Sequence, residues 1–121
     1  MSFELLKKRA LSFFRDAQSD YEHGEYHLVL FHVEQSIQLY SKYLLYRRIG
    51  DYPKTHSIIK LLKDLVKVYA YEELNRFMNN NLEALYLLEE AYYIVTVLTK
   101  GIRSGHSSEN TETWREYPWG V

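Results

Sequence analysis

Residues 25–49 read EYHLVLFHVEQSIQLYSKYLLYRRI, and this stretch decides the fold. It holds no glycine or proline, and its apolar residues recur at three- and four-residue steps, so it predicts one long helix from Glu25 to Ile49. Tyr26, Leu30, Val33, Ile37 and Leu44 form one stripe along it. Leu28, Leu39 and Tyr46 form a second, displaced by about 160–180° at 100° per residue. A helix that is apolar on nearly opposite sides must bury both. In a small bundle the first stripe is expected to face the core, and Leu28, Leu39 and Tyr46 to form a dimer interface with a second subunit. Gly50 caps the end, and Asp51-Tyr52-Pro53-Lys54 reads as a turn.

Working outward, Leu6, Ala10, Phe13, Phe14, Ala17 and Tyr21 repeat the helical spacing upstream. They predict a first helix from about Phe3 to His23, with Ser2 as its N-cap, Glu4 in the first turn and Gly24 at its end. Downstream, a third helix starts near Thr55 or Ser57 and turns Ile58, Leu61, Leu62, Leu65, Val68 and Tyr69 inward. A short helix is expected over Tyr71 to Met78, broken by Asn79-Asn80-Asn81. A last one runs from about Leu82 to Lys100, closed by Gly101. Residues 101–121 lack any helical or alternating period and read as a polar C-terminal tail. Its aromatics, Trp114, Tyr117 and Trp119, with Pro118, are suited to docking on a neighbouring surface. The fold class is therefore all-α: an up-and-down bundle of four to five helices over residues 1–100, followed by the tail.

Composition narrows the function. A chain of 121 residues suits one core. Fifteen basic against sixteen acidic residues leave a net charge of -1, so no overall field favours nucleic acid or membrane. The absence of cysteine removes disulfides, thiolate zinc sites and cysteine nucleophiles. No apolar run approaches the roughly 20 residues that span a bilayer, and the N-terminus does not read as a signal peptide. A cytoplasmic protein with no membrane contact is the expectation.

Few residues offer chemistry. Glu34 and Ser41 fall near Leu30 on the inward stripe, where a carboxylate must find a partner or stay protonated. Glu34 is either a ligand-contacting or acid–base group, or a structural one bonded to a tyrosine or lysine. His56 opens the third helix, where free N–H groups favour anions. Lys60, Lys63 and Lys67 share one face and read as a phosphate strip or a solvated one. His23 and His27 have the i,i+4 spacing of metal ligands, but Gly24 intervenes and no third ligand follows, so no metal is expected. Glu89 and Glu90 are adjacent and must diverge. Arg103 and His106 stand close together, a pairing suited to polarising a phosphate and moving a proton but common by chance. The polar residues expected to line a ligand cleft are Glu34, Lys42 and His56.

Several of these residues occur together in order: Phe13, Asp16-Ala17, the Gly24 to Leu28 turn, Phe31, Glu34-Gln35, Lys42, Leu45, Gly50, Pro53 to Ser57, Leu61-Leu62 and Leu88 to Tyr92. In this the chain resembles the HEPN (higher eukaryotes and prokaryotes nucleotide-binding) domain over about residues 5–95. The resemblance implies a helical bundle that pairs as a homodimer. It also implies either a role beside a minimal nucleotidyltransferase in a two-component, toxin–antitoxin-like system, or a metal-independent endoribonuclease with an Arg-x(4–6)-His motif near the dimer interface. Larger relatives are linked to nucleoside triphosphates, making ATP or GTP the ligand implied. The chain departs from the pattern where relatives carry an Arg-Tyr pair after Leu-Glu-Glu-Ala-Tyr: Thr96 stands about where that arginine would be, and only two residues separate Arg103 from His106. The first expectation is a non-catalytic binding module for a nucleotide or a nucleotidyltransferase partner. The alternatives are an RNase toxin using Arg103 and His106, and a purely structural interaction protein.

Overall fold

Two glycines set the limits of the central helix. Gly24 and Gly50 both adopt a positive φ, 73° and 75°, which a side chain would oppose, and between them the backbone is helical from Tyr26 to Ile49. The computed structural model describes residues 3–104 and contains α1 (Glu4–Glu22), α2 (Tyr26–Ile49), α3 (Ile58–Tyr69), α4 (Glu72–Asn80) and α5 (Leu82–Ser104). No strand occurs among the described residues. The chain is an all-α bundle.

α1 and α2 form an antiparallel hairpin. Its apolar seam joins Leu6 and Ala10 to Leu39 and Tyr43. Two polar bonds fix its register: Ser36 donates to the Ala10 carbonyl at 2.8 Å, and His32 Nδ1 lies 2.5 Å from the Asp20 carboxylate. A second core lies on the other side of α2, where Leu45 meets Ile58, Leu61, Leu62 and Leu65 of α3, Met78 of α4 and Leu85 of α5. Leu45, Ile58 and Leu61 are fully enclosed; each such side chain contributes about 1.5–3 kcal/mol. α3 supplies its own N-cap, the Ser57 hydroxyl accepting from the Lys60 N–H at 3.2 Å.

The first stripe of α2 is only half-buried at Leu30, Val33, Ile37 and Leu44, and Tyr26 is exposed. α2 is wedged between α1 on one side and α3 and α5 on the other, so its burial follows those contacts. The expected dimer stripe is corrected at Leu39. Leu39 is completely covered by α1 and belongs to the chain's own core. Leu28 is half-buried, and Tyr46, though its ring touches Phe3 and Tyr52, is 39% exposed. Among the described residues the largest set of outward-facing apolar side chains on one helix is on α5: Tyr86, Leu87, Tyr93, Ile94 and Val97 are 46–66% exposed. At 100° per residue they occupy about a third of the helix circumference.

Boundaries shift in two places. α4 runs on through Asn79 and Asn80, and Asn81 alone ends it, its side-chain amide donating to the Phe77 carbonyl at 2.8 Å. Gly101 does not close α5, which continues to Ser104; glycine costs about 1 kcal/mol inside a helix but breaks no backbone hydrogen bond. Arg103 therefore lies within α5, while His106 and the rest of the expected tail fall outside the described residues. No described helix is long and apolar enough to cross a membrane.

Candidate functional site

The most buried part of α2 is polar. Glu34, Gln35, Gln38 and Lys42 are each at most 1% exposed. Their spacing puts Glu34, Gln38 and Lys42 one turn apart on a single face. Buried polar groups must find partners, and these find one another, except that Gln35 Oε1 is left without one among the described residues. Gln35 donates its amide to Glu34 Oε1 at 3.0 Å, and the Gln38 amide reaches both Glu34 oxygens at 3.2 and 3.3 Å. The Gln38 carbonyl oxygen accepts from Lys42 Nζ at 3.3 Å. The hydrogen bonds to Glu34 thus come from glutamine amides, with Lys42 one step further along and felt through its charge.

From Gln38 the network passes to the surface. His56 Nδ1 lies 3.3 Å from the same Gln38 oxygen and 3.4 Å from the Tyr92 hydroxyl. The chain Glu34–Gln38–His56–Tyr92 thereby links α2, the connection before α3, and α5. Desolvation raises the Glu34 carboxyl to about 8, outweighing the amides it accepts from, and the Glu89 charge adds to the rise. Burial lowers the Lys42 ammonium to about 8 against the pull of Glu34; its Nζ also sits 5.6 Å from the centre of the Tyr52 ring. Burial, then the Glu34 charge, pushes the Tyr92 phenol up to about 12, so it stays protonated at neutral pH.

The network opens on a groove of about 430 Å³ lined by His56, Ser57, Glu89, Tyr92, Tyr93 and Thr96, with Val97 at its edge. Glu89 dominates its chemistry. Its Oε1 accepts from the Ser57 hydroxyl at 2.6 Å and from the Ile59 backbone N–H at 3.0 Å. A carboxylate from α5 therefore caps α3 and occupies the position where the dipole would otherwise favour an external anion. Glu90, its neighbour in sequence, points to solvent. No lysine or arginine lines the groove among the described residues.

The three expected cleft residues therefore separate. His56 lines the groove; Glu34 and Lys42 lie sealed beneath it and cannot touch a bound ligand, because α2 is covered there on both sides. Thr96, the residue in the arginine's place, faces the groove. Glu89 and Tyr92 were missed as site residues. Glu89 was readable only as half of a diverging pair, and Tyr92 only as an apolar position; their partners lie more than 30 residues away in sequence. The lysine strip is partly neutralised, since Lys60 pairs with Asp64 at 3.2 Å. No group of three potential metal ligands occurs among the described residues.

The family model described as HEPN domain matches residues 3–108, most of the chain. No curated protein and no solved structure matches it.

Proposed function

We propose, from the premise that the chain belongs to the HEPN domain family, that it is a non-catalytic binding module of a two-component, toxin–antitoxin-like system. Its partner is a minimal nucleotidyltransferase, and it acts as a homodimer. One observation carries the reading: the polar groove already holds its own anion. Glu89 accepts from Ser57 and Ile59 at the start of α3, and no lysine or arginine lines the groove among the described residues. Cleaving RNA, or holding a nucleotide by its phosphates, needs positive charge where negative charge gathers. This groove supplies negative charge there, and the buried Lys42 cannot reach in. That weakens the phosphate-binding branch and leaves association with protein as the better-supported use of the fold.

The outward seam of α5 supports the homodimer. Tyr86, Tyr93 and Val97 fall within about 40° of one another on the helix surface, with Leu87 and Ile94 beside them. Large apolar side chains concentrated on one helix face favour association over continued exposure to water. Two copies paired there would bring their grooves to either side of the interface, since Tyr93 and Val97 belong to both features.

The test is co-expression of the tagged chain with a small nucleotidyltransferase encoded beside its gene, followed by gel filtration. A stoichiometric complex is expected, with flat ATP and GTP titrations of the free chain and intact RNA after incubation. Failure to form the complex, or RNA cleavage that His106→Ala abolishes, refutes the proposal.

A further inference from the structure

The groove at His56 carries oxygens that the chain leaves unused. Glu89 lines it, and both bonds its carboxylate receives, from the Ser57 hydroxyl at 2.6 Å and the Ile59 N–H at 3.0 Å, fall on Oε1. Oε2 accepts none among the described residues. Thr96, on the same wall, has its Oγ1 buried without a hydrogen-bond partner among the described residues. Gln35 Oε1 is a second such atom. It lies one turn of α2 beyond Phe31, the ring on which Tyr92 stacks. Buried polar atoms without partners are rare in folded proteins, so two of them beside one groove mark a place where another molecule supplies the bonds.

Charge and shape decide which molecule. The start of α3 offsets only about half of the Glu89 charge, and no lysine or arginine lines the groove among the described residues. Tyr92 and Tyr93 add two aromatic rings to the lining, and Tyr93 is 66% exposed; ring faces attract cations. The group that suits this set is cationic, planar and made only of donors. A guanidinium has five N–H groups and no acceptor, stacks on tyrosine, and is more weakly hydrated than an ammonium. An anion would meet the carboxylate head-on, and a neutral amide would bring an acceptor with no donor to face it.

We propose that this groove receives the guanidinium of an arginine presented by the protein partner. The inference rests on the reading of the chain as a protein-binding module and adds the chemistry by which the partner is recognised. Glu89 Oε2 takes the charge-assisted bond, the Thr96 hydroxyl offers a lone pair to a second N–H, and a tyrosine face covers the guanidinium plane. Ser57 and Ile59 hold Oε1 in place, so the carboxylate is oriented before the partner arrives. At about 430 Å³ the groove is near the lower end of ligand-pocket sizes, as suits one long side chain.

Amide chemical shifts of the full chain, followed as acetyl-arginine amide is added, test the site without the partner. Saturable shifts centred on Ser57, Glu89, Tyr93 and Thr96 are expected. Acetyl-lysine amide should bind several-fold more weakly, and acetyl-citrulline amide, which matches arginine in shape but lacks its charge, should not bind. Glu89→Gln keeps an oxygen for Ser57 and Ile59 and should abolish arginine binding. Thr96→Val removes an oxygen that has no partner and should weaken binding several-fold without lowering the urea midpoint. In the co-expressed complex, Glu89→Gln is expected to raise the Kd for the nucleotidyltransferase at least tenfold. The proposal is overturned by the absence of saturable arginine binding, by binding that the citrulline analogue matches, or by binding that Glu89→Gln retains. If no complex forms, the reading beneath the proposal falls with it; a complex that forms and ignores Glu89→Gln removes this inference alone.

Discussion

Replacing Glu34 by glutamine removes the carboxyl that burial holds protonated, and the pH dependence of stability follows from its shift. Glu34 loses its proton near 4.5 when unfolded and near 8 when folded. Between those values the native state holds a proton the unfolded chain has released, so stability falls as pH rises and levels off above about 8. Each pH unit in that window is worth about 1.4 kcal/mol, giving a loss on the order of 4 kcal/mol between pH 5 and 8. Lys42 acts oppositely in a later window. Its proton leaves near 8 in the native state and near 10.5 in the unfolded one, so stability recovers between those values. Urea unfolding of the parent and Glu34→Gln chains from pH 5 to 10 measures both arms. The stability difference, variant minus parent, is expected to rise by about 4 kcal/mol from pH 5 to 8. A difference that stays flat within about 1 kcal/mol refutes the buried-proton reasoning.

Three further outcomes are expected. Ala70 ends α3 at φ 52°, a left-handed position that costs a side chain about 1–2 kcal/mol; Ala70→Gly should stabilise the chain by about 0.5–1 kcal/mol net of its unfolded-state entropy, read as a rise in Tm. Glu89→Ala deletes the acceptor for Ser57 and Ile59 and should cost about 1–2 kcal/mol in urea unfolding, with Glu89→Gln recovering part of it; an unchanged midpoint would mean that the cap contributes nothing. Tyr93→Glu together with Ile94→Glu, both on the exposed face of α5, should convert a sedimenting dimer to a monomer without loss of helicity, and a persistent dimer would place the interface elsewhere.

The parts of the fold that were legible in the sequence are those written in local rules. Helical spacing and the glycines at 24 and 50 give α1 and α2 to within a residue or two, and Ser57 announces α3. The inner partners of α2 were not legible, because they depend on which neighbour lands where. Leu39 and Tyr46 lie on a side that periodicity marks as needing cover, but only the docking of α1 shows that the chain itself covers Leu39. Glu34 reads correctly as buried, yet its glutamine partners are hydrophilic residues that a stripe analysis sets aside. Glu89 illustrates the harder case: its cap crosses from α5 to α3, and nothing local in Leu-Glu-Glu-Ala marks a helix-capping carboxylate. Gly101 erred in the opposite direction, a strong local stop signal overridden by continuing backbone bonds.

The buried row on α2 also bears on how still the polar groove is. Apolar packing alone tolerates a small slide of one helix along another, since one methyl can replace the next at little cost. Hydrogen bonds in a dry interior do not, because a slip leaves donors and acceptors stranded. Gln38 meets Glu34 and Lys42 on its own helix and His56 on the connection to α3, and His56 meets Tyr92 on α5. Glu89 then returns from α5 to the first turn of α3. These bonds tie α2, the connection to α3, α5 and α3 in series, so their relative register is specified by polar geometry as well as by volume. A groove built this way presents a fixed shape with its carboxylate already hydrogen-bonded. Such rigidity suits the proposed binding role better than a reaction whose charge distribution changes.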